Sequence, residues 1–378
     1  MAVLSEEQEM LRDAAKAWAD ERSPINALRR VRDGGADAAF DPALWKEIGE
    51  LGWAGIVTPE AYGGADLGNL TMGLVLGELG RTLAASPLLI SGLAAATALT
   101  RGGSPAQKEA WLPKIASGAA IVSLAVDEGA HHAPARIALA ARREGDGFVL
   151  NGAKTFVMEG MSADAFIVAA RTSGRAGETD GLTLFLVESN AGGLERQRLK
   201  LADSRGYAAL AFAGVKVGAD AVIGAVDQGW TILAPTLDRA CAGLCAEMLG
   251  SAEQAFAITL DYLKTRVQFG QVIGAFQALQ HRAAGLYTEL ELARSTVEGA
   301  LAALDDEAAD AAELVSLAKT KMSDTFHLVS NEMVQLHGGI GMTDAHICGF
   351  YMRRARVCEA AFGSAAYHRD RYARLLGY

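Results

Sequence analysis

The sequence predicts an α+β chain, mostly α, in which a helical segment, a β segment and a second helical segment follow one another. Three observations carry this. Residues 5–118 place apolar side chains at helical spacing. From about Gly118 the pattern changes to short apolar runs separated by Gly, Asp and Asn turns. From Gln228 long Ala- and Leu-rich stretches return. No strand–helix alternation is present, which excludes a doubly wound nucleotide-binding sheet. The expected domains are 1–118, 119–226 and 227–378.

The elements follow in order. Ser5 with Glu6 and Glu7 gives an N-cap and acidic first turn before Met10, Leu11, Ala14, Ala17 and Trp18, which share one helical face. Asp41-Pro42 opens a second helix through Ile48, with Pro at the first helical position. Pro59 to Gly64 reads as a loop; Asn69 to Ala84 and Ser104-Pro105 to Ser117 read as helices. The expected strands are Ile121–Val126, Ile137–Ala141, Phe148–Leu150, Ala165–Ala170, Leu182–Val187 and Ala209–Val217, a β domain of about one hundred residues. The stretches 228–264, 275–304, 308–337 and 344–376 are long enough, with short connections, for an antiparallel four-helix bundle.

Composition bounds the function. The 378 residues carry 45 Asp+Glu against 35 Lys+Arg, a formal charge of −10, which argues against nucleic acid as the main partner. A few placed Arg residues would still suffice for a phosphate. Residues 1–22 lack an apolar run before a small-residue cleavage site. The most apolar stretch, Pro87 to Thr100, is too short for a bilayer, so no membrane association is expected. Cys241, Cys245, Cys348 and Cys358 show no zinc spacing and read as reduced core thiols. A cytoplasmic location follows as the default. His131-His132 is expected to be a solvated loop, since adjacent residues on a strand face opposite ways. No metal ligands are assigned.

Two motifs stand out. Arg266-Val267-Gln268-Phe269-Gly270 leads into Ile273, Phe276, Gln277, Gln280 and His281. Further on comes Gln335-Leu336-His337-Gly338-Gly339-Ile340-Gly341. An Arg at a helix end can interact with the last carbonyls and the dipole; it can equally grip a pyrophosphate with its planar fork. Gly338 can be a plain helix stop, or the glycines can bring backbone N–H groups close to a ligand. On the residues alone both readings stand.

In this order and spacing the two motifs resemble the C-terminal half of the acyl-CoA dehydrogenases, and the resemblance runs over nearly the whole chain. It implies an N-terminal helical domain, a middle β barrel and a C-terminal helical bundle. It implies FAD, with contacts at Arg266, Phe269, Ile273, Phe276 and Gln277 and at Gln335, Leu336, Gly338 and Gly339, serving a flavin held mainly by a neighbouring subunit. Ser364 is implied as a further contact. Phe156, in Asn151-Gly152-Ala153-Lys154-Thr155-Phe156, takes the place of an aromatic that covers one side of the flavin ring. An acyl-CoA thioester as substrate, an electron-transfer flavoprotein as acceptor and a homodimer or tetramer are implied with it. The tail 366–372 resembles a bacterial branch that includes small subunits of heteromeric acyl-CoA dehydrogenases, so a paralogous partner is a further expectation.

The sequence also departs from that family. Val126-Asp127-Glu128 and His131-His132-Ala133 stand where hydroxyl donors to flavin and CoA are usual, and Met158 where a Thr often contacts the flavin. Removing a proton next to the thioester needs a carboxylate, yet Phe362 and Ala240 occupy the two positions where the family keeps its Glu. Glu247, Glu359 and Asp238 are the nearby carboxylates. Glu247 is the leading candidate, two helical turns from Ala240 and about 10 Å along the axis. Each reads more readily as a helix-surface or capping charge. The resemblance therefore implies an FAD-dependent acyl-CoA dehydrogenase, with a non-catalytic subunit that completes a partner's FAD site as the alternative and other CoA-thioester chemistry as a third reading.

Overall fold

The computed structural model describes residues 4–34 and 39–378. The chain forms two compact units. One comprises residues 30–68 and 85–240; the other gathers 1–29, 69–84 and 241–378.

The first of these is built on a sheet of strands β1 (Val122–Ala125), β2 (Ala140–Glu144), β3 (Gly147–Met158), β4 (Ala165–Arg171), β5 (Leu182–Glu188), β6 (Leu194–Leu199), β7 (Tyr207–Val217) and β8 (Val222–Ile223). Its order is β6-β7-β3-β2-β4-β5-β8, with β1 parallel to β4. The expected middle barrel is therefore corrected. Among the described residues the terminal strands β6 and β8 do not pair, so the sheet stays open. Closure needs hydrogen bonding all the way round. Here β8 has two residues, and β6 is a mostly exposed edge of Glu195, Arg196, Gln197 and Arg198. The β2–β4 seam is a single residue pair, Ala140 with Arg171. Where those strands part, the Arg171 guanidinium donates to the carbonyls of Ile137, Ala135, Asp180 and Glu178.

The helices of this unit start where the caps predict. Asp41 accepts from Ala43 N at 2.9 Å ahead of Pro42–Glu50, and Ser104 forms a reciprocal box with Gln107 ahead of Pro105–Ala116. The apolar stretch 88–102 is a π-helical turn, Leu88–Ala95, running into Ala96–Gly102. It packs on β1, where Ser91 Oγ accepts from Val122 N.

The other unit is helical. Ser5 and Gln8 cap Glu6–Arg22 reciprocally. The long Ala311–His337 helix packs against Gln277–Asp305, Cys348–Ala360 and Ala365–Leu375. The last two were expected as one stretch. They are separated because Phe362 (φ 54°) and Gly363 (φ 106°) leave helical space and Ser364 caps a new helix. Gly68–Arg81 is held by Asp305, whose carboxylate accepts from the N–H groups of Asn69 and Leu70. It meets Trp230–Thr265 backbone to backbone: a Cβ on Gly250 would lie 1.9 Å from the Gly77 oxygen. No helix among the described residues is long and apolar enough to cross a membrane.

Candidate flavin site

Trp230–Thr265 ends directly before Arg266. Val267–Gln268 then turns back onto Gln271–Val272 in a two-residue hairpin. Both turn residues, Phe269 (φ 52°) and Gly270 (φ 80°), are left-handed, as the tightest hairpins require. Placing Phe269 there costs about 1–2 kcal/mol, yet the ring is 90% exposed and meets Phe276 edge-on at 6.1 Å. The Arg266 guanidinium is exposed and has no hydrogen bond or ion pair among the described residues. Ile273 and Phe276 are half-buried, and Phe276 leads into the 29-residue Gln277–Asp305 helix without a side-chain cap. That N-terminus keeps free amide donors and a positive partial charge. An unpaired guanidinium, open amides and exposed aromatic surface fit an anionic, ring-bearing group such as an adenosine pyrophosphate.

The second motif ends Ala311–His337. Gln335 is exposed, Leu336 is buried, and Gly338 (φ 63°, ψ −141°) breaks the helix in a conformation open almost only to Gly. A Cβ on Gly338 or Gly339 would meet nothing within 4 Å, so this backbone faces open space. The two motifs are brought together by Tyr262, one turn before Arg266, whose ring stacks on His337 at 4.4 Å. His337 Nδ1 donates to the Met333 carbonyl at 2.7 Å. Its Nε2 is buried without a partner, and burial pushes the ring's pKa below the usual histidine value.

Phe156 lies in the other unit. It is 41% exposed with φ 51°, at a break in the β3–β7 register between Lys154 and Val157. Beside it, Lys154 is buried and donates to Val126 O and Glu128 Oε1, each at 2.8 Å. Burial lowers its pKa to about 8 although Glu128 pulls the other way. Glu128 also accepts from Ala138 N and Leu139 N, while Asp127 holds His132 Nδ1 and Ala133 N. Both carboxylates thus organise the loop that follows β1. Lys154 lies within the segment 151–156 singled out in the sequence, but no role follows for it there, because β3 also carries Asn151 and Thr155 and a lysine among them reads as one more solvated side chain.

Neither expected position for the base carries a carboxylate: Ala240 is fully buried, and the Phe362 carbonyl accepts from His368 Nε2 at 2.9 Å. Glu247 is buried on Trp230–Thr265, and its Oε1 accepts from Arg354 Nε at 3.0 Å and Nη2 at 2.8 Å. Both side chains are less than a tenth exposed. Arg354 was not foreseen, because 107 residues separate the partners and no spacing rule links them. Glu359 pairs with Arg356 at 2.6 Å and His327 at 2.9 Å. It lines an open cavity of about 380 Å³ with Ser323, Asp324, His327 and Ser364. Asp238 also has a partner. Lys319, fully buried, donates to the carbonyls of Cys358, Glu359 and Gly363 and so fixes the turn that carries Phe362.

Comparison with known proteins agrees along the chain. Residues 5–119, 127–215 and 227–377 match, in turn, the N-terminal, middle and C-terminal domains of acyl-CoA dehydrogenase. The chain is 31% identical to the mitochondrial isovaleryl-CoA dehydrogenase of Pongo abelii, over 97% of this chain and 88% of that protein. It is 32% identical to the cyclohex-1-ene-1-carbonyl-CoA dehydrogenase of Geobacter metallireducens, over 96% of each. Among solved structures, a chain of the ChsE4-ChsE5 complex from Mycobacterium tuberculosis superposes with a TM-score of 0.90 at 29% identity, covering 100% of this chain and 99% of that one. With matches at this identity spanning almost its full length, the chain belongs to the acyl-CoA dehydrogenase family of FAD-dependent flavoproteins.

Proposed function

We propose that this chain is a flavin-site subunit of the family whose own carboxylates do not abstract the substrate proton. The Glu247–Arg354 pair carries this reading. A general base must reach the proton it removes and be free to accept it. Glu247 is buried, and its Oε1 is taken up by two donors of the Arg354 guanidinium. In this reading Arg266 and the Gln277 helix N-terminus bind the FAD pyrophosphate, Gln335, Gly338 and Gly339 approach it through the backbone, and Phe269, Ile273, Phe276 and Leu336 supply apolar contact. Ser364 and Phe156 complete the set. When bound, FAD supplies hydride acceptance. The partner is a second copy or, by analogy with the ChsE4-ChsE5 complex, a paralogous chain that brings the base. The free thiols at Cys241, Cys245, Cys348 and Cys358 agree with a reducing, cytoplasmic location.

A second reading is α,β-dehydrogenation of an acyl-CoA by this chain itself, with an electron-transfer flavoprotein as acceptor. The cavity beside Glu359 and Ser364 favours it, since it places a carboxylate at an open surface. The test is the visible spectrum of the protein purified alone, followed by anaerobic rapid mixing with a panel of acyl-CoAs. The first reading expects flavin that bleaches slowly or not at all until a paralogous subunit is added. Fast bleaching of the homomer by any acyl-CoA overturns it in favour of the second.

A further inference from the structure

We propose that His337, His346 and Cys348 form a binding site for a single thiophilic transition-metal ion of the zinc class. They lie at the junction of the Ala311–His337 and Cys348–Ala360 helices. One ring nitrogen of each histidine and the Cys348 sulfur lie within 4.8 Å of one another.

The hydrogen bonds around the cluster decide which atoms are available. The Met333 carbonyl can only accept, so His337 Nδ1 carries the ring proton and Nε2 keeps its lone pair. That Nε2 is buried without a hydrogen-bond partner, on a residue 3% exposed. An unpartnered buried acceptor is costly, and native structures keep one only for a reason. The ring cannot easily turn away, being stacked on Tyr262 at 4.4 Å and facing His346 at 4.5 Å. His346 Nδ1 lies 2.9 Å from the Cys348 sulfur and accepts the Cys348 backbone N–H at a long 3.3 Å, a bond that an ion at the cluster would replace.

Two imidazole nitrogens and a thiolate form a borderline-soft donor set. It suits zinc, with metal–nitrogen bonds of about 2.0–2.1 Å and metal–sulfur bonds of about 2.3 Å. Hard cations such as Mg²⁺ and Ca²⁺ need oxygen donors, which the cluster lacks. The carbonyl holding His337 from behind is the usual outer support of a ligating histidine. A tetrahedral site would set the donors about 3.3–3.6 Å from one another, given those bond lengths, which spreads the 2.9 Å His346–Cys348 pair and closes any wider one. The half-buried His346 can supply that movement. Three protein ligands leave one position for water. The ion would join the two ends of the 338–347 segment and so brace the backbone of Gly338 and Gly339. The sequence showed no zinc spacing because His337 comes from one helix end and His346-x-Cys348 from the start of another.

The test uses the full-length protein as purified, treated with a chelator and titrated anaerobically with Co²⁺, then in separate samples with Zn²⁺ against a chromophoric competitor. The expected result is one equivalent of Co²⁺ with ligand-field bands in the red, clear of flavin absorption, and Zn²⁺ binding in the same ratio. Cys348→Ser and His346→Ala should each weaken Zn²⁺ binding by at least about 100-fold, at or beyond the upper end of what outer-shell changes cost. His131→Ala, at an exposed histidine elsewhere, should leave it unchanged. Absence of the Co²⁺ bands in the wild type overturns the proposal. So does equal Zn²⁺ affinity in folded Cys348→Ser protein, with folding checked by circular dichroism.

Discussion

Replacing Glu247 by Gln tests whether this carboxylate is a structural counter-ion or a base. Its Oε1 takes two donors from Arg354, at 3.0 and 2.8 Å, and the two side chains are 9% and 7% exposed. Charges about 4 Å apart attract by about 4 kcal/mol at an effective dielectric of 20. Gln keeps an acceptor for one donor, worth about 1 kcal/mol, but leaves the guanidinium buried without a counter-charge. The expected loss is about 3 kcal/mol, at the low end of the 3–5 kcal/mol seen when one partner of a buried pair is removed. Arg354→Met should cost a similar amount. The double variant Glu247→Leu/Arg354→Met should recover most of it, because no charge then remains to be buried. Urea midpoints followed by tryptophan fluorescence, together with acyl-CoA-dependent flavin reduction in the same proteins, would measure both roles. A Glu247→Gln protein within about 0.5 kcal/mol of wild type, the range of a neutral surface change, but slowed about 100-fold or more in flavin reduction, would refute the structural assignment and make Glu247 the base.

Changing Arg266 to Ala should weaken FAD retention by about 1.5–3 kcal/mol, the worth of a charge-assisted bond, and equilibrium dialysis showing unchanged affinity would remove Arg266 from the site. Light scattering should give a mass above the 39.6 kDa of one chain, since the hairpin around Phe269 exposes apolar surface that suits a second subunit; a monomer at working concentration contradicts this. Lys154 gives a pH signature. Burial holds its folded pKa at about 8, below the ordinary 10.5, so between those values the unfolded chain binds more protons and stability from this group rises with pH. Thermal midpoints of wild type relative to Lys154→Met should therefore climb from pH 8 to 10.5, and a flat difference would rule out a depressed lysine. Gly250→Ala should destabilise by several kcal/mol, because its Cβ would sit 1.9 Å from the Gly77 oxygen and the two helices must part; a change under about 0.5 kcal/mol, typical of a neutral surface site, would mean they have room to move.

Local chemistry made much of the fold legible. The Ser5, Asp41 and Ser104 caps fall at the helix starts because capping depends on residues within three positions of one another. The buried strand β4 was visible as a continuous apolar run. β6 was missed because its edge of Glu, Arg and Gln has no apolar alternation, and β8 because two residues carry no period. The barrel was expected from family likeness; whether a sheet closes depends on its two terminal strands meeting, and no run of residues encodes that locally.

The sequence by itself determined the helical, β and helical order of the chain, the caps, and the two motifs that mark the family, since each rests on spacing along one stretch. Only the tertiary structure decided that Glu247 is held by Arg354, that Lys154 is buried against Glu128, that Tyr262 stacks the two motifs together, and that His337 meets His346 and Cys348 with an unpartnered nitrogen. Pairing, burial and the loss of water around a polar atom depend on residues distant in the chain. Those same long-range contacts set whether a carboxylate is free to take a proton and whether a lone pair is free to take a metal.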